Sequence, residues 1–321
     1  MRMTNYPNGF AAGISIRGVP LMQTHPGTVF WVSNNTTLSP NEVGGSNNNP
    51  GTYQRPFSTL AYAISRCQSN KGDIIFVKPG HAETVSTATA LALNIAGIAV
   101  IGLGSGLNRP TFTLDTATTA TIAISAANVM LSNLIFSANF ADIVSTFTVT
   151  AKDFTLHNCQ VRATATNMNF LHVVDTSTTD NSADGLTVLD CEWFEPDAAT
   201  LAFALVDSTA DRWDVSGNTM VTGNATADTA ALFTCATGKN LTNLRVLRNN
   251  IDVTGNAAST AGTLITGDGT AGTGIIAYNN LKHLDATTEI LITATHTWGL
   301  FENRATAVAN AQGYLLPAVD A

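Results

Sequence analysis

Two aspartates, Asp175 and Asp207, each close a short apolar run, His172-Val-Val-Asp175 and Phe203-Ala-Leu-Val-Asp207. Paired carboxylates can serve as acid and base in glycoside hydrolysis, or as hard ligands for Ca²⁺. Ending equivalent strands of consecutive coils, these two would lie about 5–7 Å apart. Both are followed by Ser/Thr-rich turns, where an aspartate ordinarily bonds its own backbone, so a turn role is expected and no catalytic residue is assigned. A second acidic group, Asp190, Glu192, Glu195 and Asp197, surrounds Trp193 and Phe194 in the manner of a sugar-stacking platform. Strand alternation sends Trp193 inward and leaves Glu192 as a solvated neighbour. The six histidines, His25, His81, His157, His172, His283 and His296, show no metal spacing. Neither a Gly-x-Ser-x-Gly elbow, a Gly-x-x-x-x-Gly-Lys loop nor a Gly-Gly-x-Gly-x-Asp calcium repeat occurs. The four cysteines, Cys67, Cys159, Cys191 and Cys235, are too widely spaced for a zinc site and read as buried thiols. No cofactor and no metal is expected.

The elements that would position such residues come from an eight-residue frame: apolar, any, apolar, any, turn-like, polar, any, apolar. It recurs seven times, at 129–136, 154–161, 186–193, 213–220, 244–251, 274–281 and 298–305. Its sixth positions lie 24 to 32 residues apart, so loops of unequal length interrupt a constant frame. Each copy follows a second strand-like run, such as Thr121–Ile124 or Thr263–Thr266. Short runs of period two with no amphipathic helix between them exclude βαβ units. The Leu-x-x-Leu-x-Leu frame of leucine-rich repeats is also missing. The expected fold is all-β, a single-stranded right-handed parallel β-helix over 73–305, with about nine coils and a length of roughly 40 Å.

The sixth column of the frame reads Leu134, Cys159, Cys191, Asn218, Asn249, Asn279, Asn303. Equivalent residues of stacked coils lie about 4.8 Å apart, so the four asparagines can bond side chain to side chain as a ladder. Four independent loop asparagines are the alternative, since Asn favours turns.

Bulk composition narrows the function. Charged residues make up 12% of the 321, against a usual share of about 25%, and Thr, Ala, Asn, Ser and Gly take their place. A net charge of −8 with scattered Lys and Arg argues against a nucleic-acid groove. No apolar stretch reaches the roughly 20 residues of a membrane span. The N-terminus has no charged region followed by an apolar run, which points to synthesis in the cytosol.

Residues 29–72 change character. Ser58 reads as an N-cap, with Leu60, Ala63, Ile64 and Cys67 on one helical face, a helix suited to plug the open end of the solenoid. The order Val29-Phe-Trp-Val32, a Gly/Asn loop, Arg55–Ile64, then Gly72–Gly80 with its Val77-Lys-Pro-Gly80 turn and Glu83, resembles pectate-lyase-like right-handed β-helix proteins. There a capping helix leads into the first coil. The resemblance covers 29–84 by motif and the remainder by coil rhythm, and it implies a fold rather than an activity. Residues 1–28 lie outside the frame. Their Asn5-Tyr-Pro-Asn-Gly-Phe10 and Gly13–Leu21 segments look like the N-terminal arm of tailed-bacteriophage virion proteins of the β-helix kind. An extra strand along the first coil is the alternative. Residues 306–321 are left as a C-terminal tail.

These resemblances, with the low charge and the unassigned chemistry, lead to the expectation of a non-enzymatic virion protein. It would be a capsid decoration or cement protein on the head surface. Phe10, Ile14, Ile16, Arg17, Val19 and Leu21 would contact the major capsid protein or another virion protein, since their apolar surface is not required by any coil. A homotrimer is expected from closed cyclic symmetry. The second reading is a tail spike or receptor-binding β-helix protein, with or without depolymerase activity on a surface glycan.

Overall fold

Alternation of apolar and polar residues passes directly into strands. Thr111–Leu114 buries Phe112 and Leu114, while Thr155–His157, Thr187–Leu189 and Asp214–Ser216 bury only their central Leu156, Val188 and Val215. The computed structural model describes residues 14–16, 19–21, 27–36, 38, 41–165, 167–195, 199–222, 230–253, 263–267, 272–283, 297–307 and 314–316. It stacks these strands into three long sheets, two of ten strands and one of seven. The first sheet runs from Val29–Val32 to Thr297–Phe301 and the second from Ala82–Val85 to Tyr314–Leu316. The third runs from Ala92–Leu93 to Thr263–Gly267. Neighbours in a sheet come from successive coils and pair in parallel, as in Leu131↔Leu156, Leu156↔Val188 and Val188↔Val215. The chain is an all-β parallel β-helix.

Seven coils carry a strand in each of the three sheets among the described residues, slightly fewer than the nine expected. Among the described residues, the last two first-sheet strands, Thr273–Ala277 and Thr297–Phe301, have no third-sheet strand in their coils. Inside, rows of Leu, Val and Ile face an aromatic file, Phe112, Phe136, Phe147 and Phe154, with successive ring centroids 5.9, 4.8 and 5.5 Å apart. Each fully buried Phe is worth about 1.5–3 kcal/mol of transfer free energy.

The corner between the first and second sheets has one backbone solution, repeated. Asn133, Asn158, Asp190, Gly217, Arg248, Tyr278 and Glu302 all take positive φ, between 46° and 71°. Asn, Asp and Gly tolerate this region, whereas the bulkier residues cost about 1–2 kcal/mol each. At Gly217 an added Cβ would stand 2.5 Å from Asp190 Oδ1, the end of an exposed side chain that can turn away, so glycine serves this corner through its positive φ. The kink drives the following residue inward, into the column Leu134, Cys159, Cys191, Asn218, Asn249, Asn279, Asn303, all buried.

The asparagines of this column are joined. Asn218 donates from its backbone N–H and from Nδ2 to Asn249 Oδ1, both at 3.0 Å, and from Nδ2 to Val188 O at 3.0 Å. Asn249 repeats the pattern toward Asn279 at 2.9 and 3.0 Å, and Asn279 toward Asn303 at 3.2 and 2.9 Å. Cys191 N–H donates to Asn218 Oδ1 at 2.8 Å, and Cys159 N–H points to Cys191 Sγ at 3.4 Å. With exposures of 1% or less, the four amides replace water at a bend that the sheets leave unpaired.

The N-terminal end is closed by helix Leu60–Arg66, which buries Leu60, Ala63 and Ile64. Its N-cap is Thr59, not Ser58: Thr59 Oγ1 accepts from Tyr62 N–H, while Ser58 Oγ is taken by Asn47 Oδ1 at 2.9 Å. Glu83 Oε2 accepts from Leu60 N–H at 2.9 Å, tying the cap to the first second-sheet strand. Asp73 holds Thr28 N–H and Gln68 N–H, both at 2.6 Å, so the chain on either side of the helix is anchored at one carboxylate. At the other end, Tyr314–Leu316 pairs antiparallel with Asn303–Ala307, giving the expected tail a strand on the last edge of the second sheet.

Asn249→Leu would strand two donors of Asn218, whereas Asn218→Leu would strand only Cys191 N–H. At about 1–3 kcal/mol per stranded donor, urea unfolding is expected to show the larger loss for Asn249→Leu. Equal small losses at both positions would contradict the ladder's contribution.

Candidate functional site

Hydroxyls and carboxylates gather along the third sheet. Asp175, in strand Phe170–Thr176, pairs with Thr148 of the preceding coil and Leu205 of the following one. Asp207 lies two residues past Leu205, just after strand Ala202–Val206. The aspartates are therefore diagonal neighbours and not the equivalent pair expected, their backbone positions separated by one strand spacing and two residues of rise, or about 8 Å. Loops of unequal length precede these strands, which is why the phase could not be counted from the sequence.

Asp207 N–H donates to Thr176 Oγ1 at 2.8 Å, fastening the end of one strand to the coil before it. Among the described residues no ion pair reaches either carboxylate. Partial burial, and then the charge of Asp207, push the Asp175 carboxyl up to about 6. Burial lowers the pKa of His172, opposed by its contact with Val144 O at 3.2 Å and by the charge of Asp207. Next to Asp175, the hydroxyls of Thr121, Ser145 and Thr148 lie 3.1 to 3.4 Å from one another. A carboxyl that keeps its proton to about pH 6, a second carboxylate close by and a bank of hydroxyls make an arrangement able to protonate a leaving oxygen and activate water. Sequence reasoning missed His172 and the hydroxyl bank. Their signal was the alignment of third-sheet strands, in which Ser145 pairs with His172 and Thr148 with Asp175.

The other expected residues fall elsewhere. Trp193 is buried and Glu192 is exposed on the second sheet, where Gln160 Nε2 donates to Glu192 Oε2 at 2.9 Å. Phe194 stands out from the same strand, 51% exposed, and Glu195 is buried. Asp197 lies outside the described residues, as do Phe10 and Arg17. Ile14–Ile16 pairs antiparallel with Val19–Leu21, so the arm contains a two-stranded sheet separate from the three long ones. Burial pushes the thiols of Cys67, Cys159 and Cys235 up to about 12, and that of Cys191 well above its ordinary value, which leaves all four as poor nucleophiles.

No protein-family model matches the chain, and no curated protein matches it. Among solved structures, pectin methylesterase from Aspergillus niger in deglycosylated form is similar at 11% identity and a TM-score of 0.47, over 90% of this chain and 94% of that one. A rhamnogalacturonan lyase gives 13% and 0.31 over 85% and 84%, and the GH136 lacto-N-biosidase from Eubacterium ramulus 10% and 0.43 over 90% and 67%. The expectation of a non-enzymatic chain is corrected to this extent: these solved structures are a methylesterase, a lyase and a biosidase, and none supports a non-enzymatic reading. Likeness of this size concerns architecture and transfers neither substrate nor residue roles.

Because the raised pKa of Asp175 reflects a charged form disfavoured by folding, its ionisation removes stability as pH rises from about 4 toward 6. Asp175→Asn is therefore expected to melt higher than wild type at pH 8, the gain shrinking to nothing as pH falls through 6 to about 4. Melting curves across that range check it; a difference independent of pH would contradict the buried, charge-coupled carboxyl.

Proposed function

We propose that the chain is a polysaccharide-cleaving β-helix protein that works along its third sheet, with Asp175 as general acid and Asp207 as the partner carboxylate. The observation that supports this reading most is the diagonal carboxyl pair, in which Asp175 titrates near pH 6. A backbone separation near 8 Å sets the two side chains on neighbouring coils of one face, where they can flank a glycosidic bond with one as acid and the other as base or nucleophile. The part-exposed hydroxyls of Thr121 and Thr148, backed by the buried Ser145, suit a sugar chain, whose own hydroxyls replace the water around them. Low surface charge fits the same ligand.

A tail spike or receptor-binding protein of a phage virion is the proposed setting, with bacterial capsule or lipopolysaccharide as the substrate class. In that setting the arm would join the chain to another virion protein or to the sister subunits of a trimer.

The test is release of reducing ends from capsule and lipopolysaccharide preparations. Wild-type protein is expected to cleave, with activity falling as pH rises through about 6 because the acid must carry its proton. Asp175→Asn and Asp207→Asn should each lose about 10²–10⁴-fold. Cleavage that survives both substitutions would remove this pair from the reaction.

A further inference from the structure

We propose a second, ester-cleaving centre at the edge of the first sheet, in which Ser132 is the nucleophile, His157 its base and Asp190 the carboxylate that orients the imidazole. It does not rest on the acid pair, which lies on another sheet. Three consecutive coils supply the three residues. Ser132 pairs in register with His157, and His157 with Leu189, so Asp190 follows immediately at the positive-φ corner. Ser132 Oγ lies 3.2 Å from His157 Nδ1, and Asp190 Oδ2 lies 3.9 Å from Nε2 on the other side of the ring. The second distance exceeds a hydrogen bond, but the Asp190 side chain is 70% exposed and can rotate to close it. With the proton on Nε2, Nδ1 is left to accept from the serine hydroxyl, which is the nucleophile, base and orienter relation of acyl-transfer enzymes.

The surroundings restrict the substrate. Ser132 is only 8% exposed, whereas the His157 side chain is 42% exposed, so the base is open to solvent while the nucleophile admits a small acyl group. Along the same row, Ile101 precedes Ser132 and Leu189 follows His157, giving apolar neighbours suited to a methyl group. Arg109 donates to Asn158 O at 3.2 Å and to Gln160 Oε1 at 3.4 Å, which brings a guanidinium to this corner. The ligand class is an acetyl ester of a sugar or other alcohol.

In the first step Ser132 Oγ attacks the ester carbonyl carbon and His157 Nδ1 takes the hydroxyl proton. The tetrahedral adduct then expels the alcohol, which leaves with that proton, and acetyl-serine remains. Water attacks the acetyl-serine, giving its proton to His157. Acetic acid departs with the oxygen and the other proton of the water, and the proton held by His157 returns to Ser132 Oγ. One ester and one water become one acid and one alcohol, with no change of oxidation state.

The test uses the full chain with a fluorophosphonate probe and with 4-methylumbelliferyl acetate and octanoate. Wild-type protein is expected to be labelled at Ser132 by peptide mass spectrometry and to prefer the acetate at least about 10-fold, one or two methylenes alone being worth that much in a fitted pocket. Ser132→Ala should abolish the label. Ser132→Ala and His157→Gln should each lower kcat/KM by about 10²–10⁴-fold with unchanged circular dichroism, Asp190→Asn by less. If Ser132→Ala does not fold, His157→Gln decides by the same label and turnover. Labelling elsewhere, or turnover retained in either variant, would overturn the proposal. Acid released from an ester and reducing ends released from a glycan are separate products, so each reading stands or falls by its own assay.

Discussion

Side-chain amides of Asn218, Asn249, Asn279 and Asn303, buried and bonded end to end, determine which residue of one coil lies beneath which residue of the next. A slip of one residue would turn every inward side chain outward and leave these amides without partners in an apolar interior. In a solenoid, where each coil touches only its neighbours, a single column of this kind sets the register locally and the stack transmits it. The positive-φ residues before the column complete the device, because the backbone must kink at each of them for the amide to point inward.

Everything on the outer faces inherits that register. Asp175 lies beside Thr148 and diagonal to Asp207, and Ser132 lies beside His157, only because three consecutive coils are held in phase. The two groups differ in what would make them reactive. On the third sheet, partial burial and a neighbouring charge keep a carboxyl protonated where an ordinary aspartate is ionised. At the first-sheet edge, the relation is geometric: a hydroxyl on one ring nitrogen and a carboxylate near the other. A glycan bearing acetyl groups has both bond types, so the two proposed activities act on one kind of polymer without sharing a residue.

The first-to-second-sheet corner was legible in the sequence because its frame has constant length: eight residues run through the strand, the kink and the next strand without a gap. Asn218 to Asn303 could be aligned by inspection for that reason. The third sheet was less legible, since loops of different length lead into it, and Asp207 was assigned two residues out of phase. Ser58 reads as the helix cap in the sequence, yet the helix starts one residue later and Thr59 Oγ1 takes the Tyr62 N–H, a one-residue shift that two adjacent hydroxyls leave open. Ser132 and His157 occupy the fourth column of the aligned frame and Asp190 the fifth. They were missed because chemistry was sought in motifs along the chain, whereas a solenoid assembles it down a column.

Residue-resolved hydrogen exchange tests most directly whether the buried column holds the coils in register. The backbone N–H groups of Cys191, Asn218, Asn249 and Asn279 donate to side-chain oxygens of the next coil, at 2.8 to 3.2 Å. If the ladder sets the register, these corner amides exchange only through global unfolding, with the same denaturant dependence as the central strand amides Val215 and Val246. Exchange by local opening, far faster than the flanking strands, would show that the corners are held by the sheets and that the asparagines follow the register instead of setting it.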